Sequence, residues 1–279
     1  MKRVVELIGS FWLGVRYCVF PVGMRDTGMA RVSPWMITGW GLLYGLVLCV
    51  VFGASWKLFG DIYFSEYSRL RIVPMAMVIL VGSATGFKQL LGLAVTVDRL
   101  AGEGRSDGAV IPPVKLPGQL AIVLVILLKF SALLSLPYHT PWWPGDWRRY
   151  FNFLYPVMYY RVLILLGLWG KTGLLVAGAT GPTHGATDDV DRAFRRKLTI
   201  KSLIGNLVLT FVMTTVYFSQ WRNRAIGMLV SVVIFLLVYL VSMIFSWRGK
   251  GHDRYSMFAI AELSELFLLL GYLAIAKFL

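Results

Sequence analysis

Apolar runs long enough to cross a bilayer recur from one end of the chain to the other. A membrane-spanning helix needs about 20 consecutive apolar residues. Seven segments meet that length, at 34–56, 72–97, 116–137, 152–170, 200–219, 225–246 and 257–277. Hydrocarbon offers no water to unpaired backbone groups, so each run must satisfy its own N–H and C=O groups, and a helix does so. The pattern predicts an all-α polytopic membrane protein, a bundle of about seven transmembrane helices in one integral membrane domain over residues 1–279. Residues 1–30 form a further amphipathic segment, ELIGSFWLGVRYCVF, interrupted by Arg16 and closed by Pro21, which lies in the interface or re-enters. No period of about 20–50 residues repeats, which speaks against a solenoid. Without an inverted repeat or broken midplane helices, a transporter is the weaker reading.

Composition supports the membrane assignment. The chain is 57% apolar and 15% charged, with a mean hydropathy of +0.68, outside the range of a soluble domain. No charged-then-apolar segment with an A-x-A site opens it, so no removable signal peptide is expected. Cys18 and Cys49 are isolated and read as ordinary buried thiols.

The net charge of +14 fits basic loops facing anionic lipid. Nucleic-acid binding would want a basic soluble domain, and none is present. With the N-terminus inside, seventeen Lys and Arg fall on inner segments: Lys2, Arg3, Arg16, Arg25, Arg31, Arg99, Arg105, Lys115, Lys171, Arg192, Arg195, Arg196, Lys197, Lys201, Arg248, Lys250 and Arg254. The outer side carries eight: Lys57, Arg69, Arg71, Arg148, Arg149, Arg222, Arg224 and Lys277. The positive-inside rule then favours a cytoplasmic N-terminus. The outer loop LPYHTPWWPGDWRRYF, with His139, reads as an interfacial aromatic belt.

The chemistry resides in the charges that interrupt the apolar runs. Glu262 and Glu265, three residues apart in AIAELSELFLLL, share one helix face. A carboxylate costs several kcal/mol in hydrocarbon, so both must face the bundle interior or a polar cavity. Lys129 lies deep in LAIVLVILLKFSALL and calls for an acid from another helix. Arg161, in YPVMYYRVLILLGLWG, needs a carboxylate, a phosphate or backbone carbonyls.

Gly82 and Gly86 form a small-xxx-small pair for helix packing, with Lys88 beyond and Asp98 beside Arg99 at the membrane edge. Lys115 precedes the third span in IPPVKLPGQ, near a helix N-terminus that favours anions. Gly-Lys-Thr at 170–172 lacks the context of a phosphate-binding loop. The loop SWRGKGHDRYS brings His252, Asp253 and Arg254 to the start of the last span. Two readings of the acids stand side by side. They hold a hard cation such as Mg²⁺ that bridges substrate phosphates, or they pair with Lys129 or Arg161 to hold the bundle together.

Several segments together resemble the cobalamin synthase family, adenosylcobinamide-GDP ribazoletransferase. SFWLGVRYCVFPV is similar to the family's opening, PWMITGWGLLYGLVL to its first span, and GQLAIVLVILLKFSALLSL to the span after its Asp-Ser-Arg segment. AIAELSELFLLL after GKGHD is similar to its closing Glu-Leu-x-Glu pattern. The resemblance implies an inner-membrane transferase that joins activated cobinamide to a ribazole or ribazole phosphate and releases GMP, using Mg²⁺.

Carried onto this chain, it implies that Asp98, Glu262 and Glu265 are catalytic and that Asp98, Asp253, Glu262 and Glu265 hold Mg²⁺. Lys88, Lys115 and Arg161 would bind substrate phosphates. The implied partners are membrane lipid, a corrinoid nucleotide and a ribazole, with no nucleic acid, and the chain acts singly or as a homo-oligomer. The family's acidic signature at the end of the second span is replaced by KQLLGLAVTVDR: Leu91 and Val95 stand for its first two aspartates, Gln89 for its histidine, and Asp98 alone matches. Lys115 falls where the Asp-Ser-Arg arginine would be. A catalytically inactive relative that binds a ligand or scaffolds a membrane complex is the second reading, and a small-molecule transporter the third.

Overall fold

A computed structural model describes residues 33–60, 75–79, 82, 87–102, 113–136, 158–182, 194–218, 224–249 and 251–276. The N-terminal amphipathic segment, the aromatic loop with His139, and Gly86 lie outside these residues. A 3₁₀ turn at Pro34–Met36 leads into α1 (Ile37–Gly60); then follow α2 (Lys88–Leu100), α3 (Leu116–Leu134), α4 (Met158–Ala179), α5 (Ile200–Phe218), α6 (Arg224–Arg248) and α7 (Arg254–Ala276). The described residues contain no strand, and six of their helices are long and apolar enough to cross a membrane. The chain is an all-α polytopic membrane protein.

The second expected span, 72–97, is not one uninterrupted helix. Residues 75–79 are helical, but Phe87 has φ +54°, in the left-handed region, and α2 starts anew at Lys88. A non-glycine residue costs about 1–2 kcal/mol there. The Phe87 amide donates to the Gly82 carbonyl at 2.7 Å, and the Phe87 ring lies over Gly82. Gly82 thus receives the ring rather than a neighbouring helix. With thirteen residues, α2 is about 20 Å long, short of a hydrocarbon core of about 30 Å. The fourth span also shifts, from the expected 152–170 to a helix ending at Ala179.

Helix α4 is the axis of the bundle: 89% of its span residues are buried, against 28% for α3 and for α5. It packs mainly on α1 and α7, and α7 in turn covers α2. The α1–α4 crossing is set by Gly41 and Gly45, whose faces meet Gly167 and Ile164; a methyl on Gly41 would stand 2.6 Å from the Gly167 carbonyl oxygen. Small residues four apart permit this backbone approach, and dispersion and packing replace a hydrophobic drive that lipid does not supply.

The pairings alternate up and down. The starts of α1, α3, α5 and α7 and the ends of α2, α4 and α6 gather on one face. There the Asn206 amide donates to the Pro34 carbonyl at 2.9 Å, Arg99 pairs with Asp253, and the His252 amide donates to the Pro182 carbonyl at 2.9 Å. Lys115, Arg196, Lys197, Lys201 and Arg248 are exposed on this same face.

Candidate functional site

Lys129, thirteen residues beyond the first residue of α3, sits about 20 Å along that helix. Its ammonium lies between the two glutamates of α7, with Nζ 2.6 Å from Glu262 Oε1 and 2.7 Å from Glu265 Oε2. All three residues are buried, with 6%, 3% and 1% of their surface exposed. An acid on another helix is the partner Lys129 required, and it has two. The spacing of Glu262 and Glu265 explains the fork: positions i and i+3 project from one helix face, and α3 brings the ammonium up to both.

Gln89, in the first turn of α2, donates from Nε2 to Glu265 Oε1 at 3.4 Å. That is long for a bond to a carboxylate, where about 2.7–2.9 Å is usual. The other side of Glu265 rests on Gly170 of α4, where a side chain would collide with the carboxylate. Lys171, next along α4, holds its Nζ 6.0 Å from the centre of the Tyr44 ring. A cavity of about 20 Å³ touches Lys129 and Glu262 and is otherwise walled by apolar side chains, Leu90, Ile126, Leu133 and Leu166 among them. A space of that size holds about one water molecule.

The other acids are engaged elsewhere. Asp98 is 3% exposed, not a solvated helix-end acid. Its Oδ2 accepts the Lys115 amide at 2.8 Å and its Oδ1 the Gly118 amide at 2.7 Å. It caps α3 from outside that helix, satisfying N–H groups that have no intrahelical partner, and its charge sits at the positive end of the helix dipole. Asp253 pairs with Arg99 and caps α7: its Oδ1 accepts the Ser256 amide at 2.9 Å, while Ser256 Oγ accepts the Asp253 amide at 3.0 Å. This reciprocal arrangement follows the capping-box logic. Arg99 also lies over the Tyr255 ring, 5.7 Å from its centre.

The expected metal set is therefore not gathered. Asp98 serves α3, Asp253 serves Arg99 and α7, and Glu262 with Glu265 encloses Lys129. Asp253 lies nine residues before Glu262, about 13 Å along the helix, so His252, Asp253 and Arg254 are not beside the glutamates. No group of three or more His, Cys, Asp or Glu among the described residues could hold a metal ion. Mg²⁺ requires octahedral oxygen ligation, and the one carboxylate pair here is closed around an ammonium. These residues do not fit the ion.

Nor do the three cations expected to bind phosphate converge. Lys88 opens α2 inside the bundle, and Lys115 is exposed at the basic face. Arg161, 2% exposed, is nine residues from Gly170, about 13 Å further along α4.

Two polar constellations went unread in the sequence. On the basic face, Arg195 donates from Nε to the Gly178 carbonyl at 2.8 Å, and from Nη2 to the carbonyls of Thr180 and Gly181 at 2.7 Å each. A guanidinium thus closes the carboxyl end of α4, where carbonyls lack intrahelical donors and the dipole is negative. Beside it His252 is fully buried. Its Nε2 faces Thr180 Oγ1 at 3.3 Å and Ser242 Oγ at 3.2 Å, and its Nδ1 faces Ser256 Oγ at 3.1 Å, which ties the ends of α4, α6 and α7. Burial first, then the Arg195 charge, push the imidazole down to about 4 from 6.5, with Asp253 opposing. The ring is neutral at physiological pH.

The second constellation is a ladder along α5: Ser202, Asn206, Thr210 and Thr214 are all buried on one face. Asn206 Oδ1 accepts the Thr38 amide at 3.2 Å, Thr210 pairs with Thr172 at 2.8 Å, and Trp169 donates to Thr214 at 3.0 Å. The strict i, i+4 spacing of small polar residues in an apolar helix was its signal.

The fold and site define a polytopic helical membrane protein with a charge cluster enclosed among α2, α3, α4 and α7. No family model, no curated protein and no solved structure matches the chain.

Proposed function

We propose that this chain is a non-catalytic relative of the cobalamin synthase family, a membrane scaffold or ligand-binding protein that has kept the helical arrangement without Mg²⁺-dependent transfer. The observation that carries this reading is the Lys129 ammonium between Glu262 and Glu265. A cation supplied by the chain stands where two carboxylates would otherwise draw a metal. The apolar Leu91 and Val95 fit the same reading, because no second acidic segment balances another charge.

The cytoplasmic membrane is its location, with the basic face and the N-terminus cytoplasmic, following the distribution of Lys and Arg. The test is direct: purified protein is given adenosylcobinamide-GDP, a ribazole and Mg²⁺. The expected outcome is no GMP release and no cobamide; Mg²⁺-dependent GMP release that is lost in Glu262→Gln would overturn the reading.

A transporter gains support from one feature. The backbone break at Phe87 starts a short helix whose first turn brings Gln89 beside Glu265, and broken helices of this kind build transporter sites. Uptake of a corrinoid or another solute into vesicles carrying the protein would favour this reading over the scaffold.

A further inference from the structure

The Lys129 cluster is one proton short of balance. Two carboxylates share one ammonium, and Lys171, whose charge also acts on Glu265, makes no ion pair with either and faces the Tyr44 ring. A net negative charge in hydrocarbon is costly. A second and independent feature points the same way. Gln89 is 4% exposed, and its side-chain oxygen Oε1 has no hydrogen-bond partner, although the amide is aimed at Glu265. A buried acceptor without a donor is a standing cost. The site thus lacks one positive charge, which a single proton supplies, and Gln89 has an oxygen free to accept it.

We propose that Gln89, Lys129, Glu262 and Glu265 form a proton-binding site inside the membrane, with the bound proton on Glu265. The proton comes from water and converts the Glu265 carboxylate to a neutral carboxylic acid. The Gln89 amide turns by half a rotation, a change that exchanges its oxygen and nitrogen in the same space. Oε1 then accepts the new O–H, and Nε2, withdrawn from Glu265, takes the place where Oε1 had no partner. The Lys129 ammonium stays with Glu262, so the cluster becomes neutral, and release of the proton restores the charged form.

The cavity beside Lys129 and Glu262 has room for about one water. The groups facing Glu265 are Gln89 from α2, Lys129 from α3, Lys171 from α4, Tyr44 from α1 and Glu262 from its own helix. Helix α6 also packs on α7; it carries Arg224 and Arg248 at its two ends and, between them, Tyr239, which is 40% exposed and stacks on Phe235.

Infrared difference spectra of the full chain in lipid nanodiscs, recorded between neutral and alkaline pH, test this. The expected result is a carboxylic-acid C=O band present at neutral pH, lost at alkaline pH, shifted down in D₂O and absent from Glu265→Gln. Removing the acceptor with Gln89→Leu should move the band to higher frequency. If Glu265→Gln does not fold, that shift carries the assignment. Absence of a titrating band, its persistence in Glu265→Gln, or a band unmoved in Gln89→Leu would each overturn the proposal. So would loss of the band on adding Na⁺ at constant pH, which would assign the site to a metal cation.

Discussion

Replacing Lys129 by methionine keeps an unbranched side chain one atom shorter but deletes the only cation within ion-pair distance of Glu262 and Glu265 among the described residues. Both carboxylates are nearly sealed, at 3% and 1% exposure, so water cannot replace the ammonium without opening the bundle. Removing one partner of a buried ion pair costs about 3–5 kcal/mol. Here the ammonium pairs with Glu262 and also donates to Glu265, so Lys129→Met loses both contacts and falls near about 5 kcal/mol on that scale. Proton uptake by a stranded carboxylate sets the ceiling. A charge-neutral cluster, Lys129→Met with Glu262→Gln and Glu265→Gln, removes the stranded charges too and should recover most of the loss, because apolar or neutral replacement of a whole buried ionic group is close to neutral. The assay is reversible unfolding in mixed micelles, followed by helicity and tryptophan fluorescence. The reasoning fails if Lys129→Met costs less than about 1 kcal/mol, or if the triple variant is no more stable than the single one.

Three further outcomes follow from the basic face. Asp98→Ala should destabilise by about 2 kcal/mol through loss of the cap on α3, with no dependence on Mg²⁺ in thermal unfolding. A Mg²⁺-dependent rise in stability confined to wild type would return Asp98 to a metal site. Arg195→Gln should raise amide hydrogen exchange at the carboxyl end of α4, where three carbonyls lose a charged donor; exchange unchanged there would show the cap to be dispensable. His252 is held at about 4 against 6.5, so the folded state binds fewer protons than the unfolded state between those values. Its contribution is therefore complete above pH 6.5, falls as pH drops toward 4, and amounts to at most about 3 kcal/mol. His252→Gln should flatten the stability profile in that window, measured by unfolding between pH 7 and pH 4; an unchanged slope would assign the pH dependence to other groups.

Six of the seven apolar runs could be read directly, because a bilayer demands the same long uncharged stretch wherever a helix crosses it. The exception, 72–97, is instructive. Its composition is apolar enough for a span, but hydropathy does not register one left-handed residue. Phe87 has a left-handed backbone and its ring lies over Gly82, a contact between residues five apart that needs the three-dimensional path to be seen. The same limit applies to Gly41 and Gly45. Their spacing was available in the sequence, but its meaning depends on Gly167 lying opposite.

The charged residues divide along a similar line. The expense of Glu262, Glu265 and Lys129 in hydrocarbon follows from the amino acids themselves, and so does the demand that each find a partner. Which partner is a matter of packing, and it decides the chemistry. Asp98 looked like a metal ligand while its neighbours were unknown; two backbone amides of α3 make it a cap. On α2, Leu91, Val95 and Asp98 follow one another at steps of four and three, one stripe of the helix, and that stripe ends at the start of α3. Acids at 91 and 95 would have added negative charge toward the helix that carries Lys129. With leucine and valine there instead, the ammonium has only the two glutamates of α7 to satisfy, and the cluster comes within one proton of neutrality. The apolar Leu91 and Val95 and the internal lysine are thus parts of one electrostatic arrangement, in which the chain supplies its own cation.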